Sequence, residues 1–233
     1  MKKSIYVLRL DNIQSEIGSK ILKPNGFKKR GRCYNRITSD NLVQVITFQI
    51  GQSWRGDNDK FSVHIGIRVP ESFERTFTDV IPPKPFYQDY HCNIRTAITE
   101  SLGNTYKNRD GLFANAKLFY LDTDDYQSII DEIIDKIDKH VLPMFADLDT
   151  REKVISNRLK YHEKYKNFES TLPLPEVIYL EEAMIYGHGG NLDKAKELLQ
   201  KSYDNAGLSN FQDHVEELAR KSGIVLDTST RCK

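Results

Sequence analysis

Apolar residues recur at Leu10, Ile13, Ile17 and Ile21, the spacing of one helix face, and predict an amphipathic helix from about Leu10 to Leu22. Pro24 and the Asn25-Gly26 pair stop it, because proline lacks a donor and glycine accepts a positive φ. The period then drops to two. Arg32, Tyr34 and Arg36 alternate with Cys33, Asn35 and Ile37, and Ser39-Asp40-Asn41 makes a turn. Leu42, Ile46, Phe48 and Ile50, interrupted by Gln44, then oppose Val43, Val45, Thr47 and Gln49. Beyond a polar loop, Gly51 to Lys60, the residues Phe61, Val63, Ile65, Ile67 and Val69 oppose Ser62, His64, Gly66 and Arg68. Three such runs with short connections predict antiparallel pairing, one face covered and one partly polar.

The middle of the chain is less regular. Pro70 to Pro85 is too proline-rich for a central strand. His91 to Leu102 fits a strand or a short helix, and Lys117 to Asp122 reads as a strand. A helix follows from Thr123 to Leu142, with Thr123 as cap, a stripe of isoleucines from Ile129 to Ile137, and Pro143 as its stop. From about Asp147 the pattern is helical. Asp149 and Glu152 have capping-box spacing, Thr171 to Pro175 reads as a linker, and helices span about Glu176–Tyr186, Leu192–Asn205 and Phe211–Ser222. The last residues, DTSTRCK, read as frayed. The expected fold is α+β. The N-terminal and central helices pack an antiparallel sheet of four or five strands in residues 1–145, and an all-helical extension fills 146–233.

Charge and cysteine content narrow the classes. With 233 residues and a net charge of +1, the chain can bury a large core and carries no global field for nucleic acid or anionic lipid. Three distant cysteines, without a CxxC pair or histidines at ligand spacing, argue against a disulfide framework or structural zinc. No apolar run reaches membrane-spanning length, the start is too short in apolar residues for a signal segment, and a cytoplasmic setting is expected. No cofactor is expected, since neither GxGxxG nor GxxxxGK[ST] occurs.

Candidate chemistry is sparse. His64, Gln49 and Arg68 share the polar strand faces and could line a patch for an anion or an exposed peptide. Trp54 sits in the polar loop GQSWRGDNDK and is a natural interface anchor. His91-Cys92 and Arg95 raise the idea of an activated thiol, but neighbours in a strand face opposite ways, which favours a buried, inert Cys92. The run Gly187-His188-Gly189-Gly190 is similar to an oxyanion-hole glycine run, yet it joins two helices with no GxSxG present. The acid-free stretch from Lys20 to Arg36 could follow a phosphate backbone with Tyr34 stacking on a base; the near-zero net charge counts against it.

Gly26-Phe27, the basic turn after it, Gln49, Trp54, the strand Phe61 to Gly66 and Cys92-Asn-Ile-Arg95 together resemble a bacterial family, domain of unknown function 4304, over about residues 5–145. The resemblance implies an α+β fold with an antiparallel sheet and supplies no activity. Ala97 and Ile98 stand where that family often has aromatics and a second arginine. Ala183 to Ala206 resembles one tetratricopeptide-like unit, read as a docked helical hairpin because arrays need about three repeats. These readings point to a non-enzymatic module whose partner is another protein, an immunity or partner protein among the options. Trp54, Gln49, His64, Arg68 and Arg95 are its candidate contacts. The alternatives are a hydrolase or transferase on the polar sheet face, and weak nucleic-acid binding through 20–36.

Overall fold

The computed structural model describes residues 4–51, 59–79, 84, 86–98, 106–107, 113–114, 117–165 and 174–231. Two compact units emerge. One comprises Met1–Arg68, Pro85–Val154 and Glu163–Leu172; the other comprises Val69–Lys84, Ile155–His162 and Pro173–Lys233. Val69–Lys84 groups with the C-terminal helices.

The first unit is an α+β sheet structure. Strands β1 (Lys28–Arg30), β2 (Cys33–Ile37), β3 (Val43–Gly51), β4 (Lys60–Arg68) and β5 (Ile94–Ala97) pair in that order, all antiparallel. A ladder of two residues each joins β6 (Tyr106–Lys107) to β7 (Phe113–Ala114), and β8 (Phe119–Tyr120) adds to β4. The main sheet thus has six strands, not four or five. The additional edge strand β1 is three exposed basic residues with no alternation to reveal it. Within His91 to Leu102 the described residues include a strand, β5, and residues 99–102 lie outside the described residues.

One sheet face is apolar. Tyr34, Phe48, Phe61 and Phe119 form a continuous run of rings, with centroids 6.1, 6.4 and 5.3 Å apart. Helix α1 (Ile5–Ile17) closes on it with Leu10, Ile13 and Ile17 buried, and Tyr34 Oη donates to Gln14 O at 2.9 Å. The helix starts five residues before the expected Leu10, on a Ser4 cap, and a π-helical turn over Gly18–Leu22 ends it. Gln44, the break in the apolar pattern, is wholly buried. Its Nε2 donates to Phe145 O at 2.7 Å and its Oε1 accepts from Arg36 Nε at 2.7 Å.

Three expectations about helix ends give way. Asp125, not Thr123, caps α2 (Tyr126–Lys136) by accepting from Ser128 N, while the Thr123 hydroxyl accepts from Asp125 N. Pro143 does not stop the helical path. A π-helical turn, Ile137–Val141, resets the ladder, so Pro143 falls in the first turn of α3 (Leu142–Asp147), where its missing N–H costs nothing. The Asp149–Glu152 capping box is replaced by the Thr150 hydroxyl, which accepts from Lys153 N at the start of α4 (Arg151–Tyr165); Asp149 instead pairs with Lys153 Nζ at 2.8 Å.

The second unit is built on α5 (Pro175–His188), α6 (Leu192–Asn205) and α7 (Ser209–Lys221). Its core includes Ala183, Leu199, Tyr203, Val215 and Leu218. The glycine run has a packing purpose: a Cβ on Gly187 would lie 2.5 Å from the Phe77 ring. Asn191 then caps α6, accepting from Lys194 N. Asp227 to Thr230 are pinned rather than frayed, and residues 232–233 lie outside the described residues. Gln200 exchanges hydrogen bonds with the backbone of Asp227, and Thr230 Oγ1 donates to Asp204. Buried charge also gathers here: Arg158 is 4% exposed and pairs with Glu181, and Glu182 is 5% exposed. Burial pushes the Glu182 carboxyl up to about 7, against the opposing pull of the Arg158 charge.

Candidate functional site

Antiparallel register decides which predicted residues meet. Gln49 stands opposite Ser62, Thr47 opposite His64, Val45 opposite Gly66 and Val43 opposite Arg68. On the next strand Arg95 lies opposite Gly66 and Ala97 opposite His64. Gln49, His64, Arg68 and Arg95 therefore belong to one face, as strand alternation requires. Trp54 lies outside the described residues; it occupies the connection between Gly51 and Asp59.

The face is not uniformly solvated. The segment 86–93, with a 3-10 turn at Asp89–His91, lies over part of it. Asn35 fastens this cap, its Nδ2 donating to Tyr87 O at 2.9 Å and its Oδ1 accepting from Tyr87 N at 2.7 Å. Thr47 Oγ1 accepts from Asp89 N at 3.3 Å. Val43, Val45, Tyr87 and Cys92 make a small apolar cluster beneath. Gly66 is required here, because a Cβ would sit 2.7 Å from Cys92 Cβ and Sγ.

The cap sorts the candidates. Arg68 is buried, its guanidinium 4.7 Å from the Tyr87 ring centroid and its Nη1 donating to His91 O at 2.9 Å. It holds the cap down and is not offered to a ligand. Cys92 is buried, and burial drives its thiol well above the ordinary range, outweighing the nearby Arg68 and Arg95 charges. Cys33 is raised for the same reason. Burial disfavours the thiolate at both positions. His64 is half-buried, and Ser62 Oγ lies 2.8 Å from its Nε2. Ser62 is itself buried, so this contact fixes the imidazole rather than presenting a reactive hydroxyl. Gln49 and Arg95 are exposed at the margin of the cap.

Sequence reasoning missed Asn35 and Thr47, the polar residues that attach the cap. Their signal was present in outline: an asparagine and a threonine on the non-core side of central strands need partners once that side is covered. Tyr34, the residue suggested for base stacking, is wholly buried. In the basic segment Lys20 pairs with Glu16 at 2.6 Å, and Lys28, Lys29 and Arg30 line the exposed edge strand, where lysine discourages edge-to-edge pairing. Among the described residues no helix is long and apolar enough to cross a membrane.

The profile of one family, described as a domain of unknown function, DUF4304, matches residues 19–147. No curated protein and no solved structure matches the chain.

Proposed function

The chain belongs to the DUF4304 family of domains of unknown function, and from that starting point we propose that it is a non-enzymatic, cytoplasmic protein-interaction module. The observation that carries the reading is the divided sheet face. The cap ties up Asn35, Thr47 and Arg68, while Gln49 and Arg95 stay exposed at its margin with His64 half-buried between them in register. A rigid sheet that presents an arginine and an amide suits a partner surface bearing carboxylates and backbone carbonyls. The burial of Cys92, which raises its thiol, speaks against an activated cysteine on this face. Trp54 enters from its sequence position, in the connection that leaves the sheet beside Gln49.

The test is a pull-down from native lysate with tagged wild type, Arg95→Glu and Trp54→Ala, checked for unchanged far-UV circular dichroism. One stoichiometric protein bound to wild type and lost from Arg95→Glu is the expected result. Equal recovery by all three, or nothing bound to wild type, would sink the reading.

A further inference from the structure

The helical unit contains a cleft of about 310 Å³. One wall comes from Ser72, Glu74 and Arg75, in the segment that follows β4. The other comes from α7, where His214, Glu217 and Lys221 recur at spacings that put them on one helix face. Most of the charge in the cleft is matched internally. Glu74 Oε2 lies 2.6 Å from His188 Nε2, and Glu217 lies 2.5 Å from Lys221 Nζ. Arg75 is different: it is exposed, and among the described residues it has no ion-pair or hydrogen-bond partner. On the same wall, the Ser72 hydroxyl is buried with no hydrogen-bond partner among the described residues.

An unmatched guanidinium on the same wall as a hydroxyl still owed a bond is half of an anion site. We propose that this cleft binds a small organic oxyanion, a carboxylate or a phosphomonoester. Arg75 is its counter-charge, and the Ser72 hydroxyl donates to it. The volume stands at the lower end of the roughly 300–1,000 Å³ typical of ligand pockets, so the occupant is of metabolite size. The inference is independent of the interaction reading, which concerns the sheet unit, and Arg95→Glu leaves this binding unchanged.

The test is a two-dimensional NMR titration of the full chain with sodium phosphate and, separately, sodium succinate, each against sodium chloride at equal ionic strength. The expected result is saturable shifts in the amides of Ser72 to Arg75 and of His214 to Lys221 with one of the two probes, which names the headgroup. Arg75→Gln, a surface change, weakens that binding about tenfold or more, and Ser72→Ala about threefold. Shifts that chloride reproduces, shifts centred on Lys28 to Arg30, or an Arg75→Gln titration equal to wild type would overturn the proposal.

Discussion

The two units tie down their buried polar side chains in different ways. In the sheet unit buried Asn35, Gln44 and Arg68 are each bonded to backbone: Asn35 to both polar groups of Tyr87, Gln44 to Phe145 O and the Arg68 guanidinium to His91 O. In the helical unit Gln212 is likewise bonded to Tyr203 O, but buried charges also face one another: Arg158, with Glu181 and Glu182 close by. A neutral amide held by backbone specifies where a segment docks and is indifferent to pH. A buried carboxyl set among other charges specifies less and responds to pH. The sheet unit therefore uses Asn35 and Arg68 to fix a cap by bonds to its backbone, and the helical unit carries a titratable carboxyl in its core.

The largest expected effect breaks the first half of that contrast. Asn35→Leu fills the same space with an apolar group and orphans the N–H and C=O of Tyr87 under the cap. Each orphaned buried group costs about 1–3 kcal/mol, so a loss of about 4 kcal/mol is expected in urea unfolding. Amides of residues 87–92 should also exchange faster with solvent. A loss below about 1 kcal/mol would mean the cap is held by its apolar contacts, not by the amide.

The second prediction tests the titratable core. The folded-state pKa of Glu182, about 7, lies above the ordinary value of 4.5. The folded protein therefore holds that proton more tightly than the unfolded chain. Its contribution to stability is fully present below about pH 4.5 and is lost as pH rises to about 7. The total is about 3 kcal/mol. The charges that act on the carboxyl are Arg158, Lys194 and Lys201, which favour ionisation, and Glu181, which opposes it. Glu182→Gln removes this part of the slope. Thermal unfolding of both proteins between pH 5 and pH 8 reads it directly, and identical profiles would refute the assignment.

What was legible in the sequence follows the range of the interactions. The alternation in β3 and β4 and the isoleucine stripe of α2 are local patterns, and each became the element it predicted. Gln44 was visible as a break in an apolar face, but its partner, Phe145 O, is 101 residues away. The cap over the polar face was invisible for the same reason: Tyr87 is 52 residues from Asn35. Helix ends misled where several candidates compete within three residues, as Thr123 and Asp125 do, and where a π-helical turn lets a chain pass a proline. Gln49, His64 and Arg68 were placed on one face by alternation alone, whereas Arg95 joins them through the pairing of β5 with β4. That Arg68 would be buried under Tyr87 required the fold.

The smallest expected effects come from two glycines, one in each unit, that sharpen the comparison. Gly66 lies beneath Cys92, and Gly187 beneath the Phe77 ring. A methyl group at either position meets a neighbour far inside van der Waals distance, so Gly66→Ala and Gly187→Ala are each expected to cost about 1–3 kcal/mol. The neighbours differ in how they yield. Cys92 belongs to a cap tied down by Asn35 and Arg68, so Gly66→Ala must strain or lift bonds on the sheet face. Phe77 follows a 3-10 turn packed on α5, and its ring can rotate or withdraw without breaking a buried amide bond. The cost at Gly187 should therefore fall at the lower end of the range and that at Gly66 at the upper. Hydrogen exchange reads the two separately: faster exchange in β4 and β5 for Gly66→Ala, and in α5 for Gly187→Ala. If Gly187→Ala proves the more costly, rigidity lies with the aromatic contact of the helical unit and not with the bonded cap.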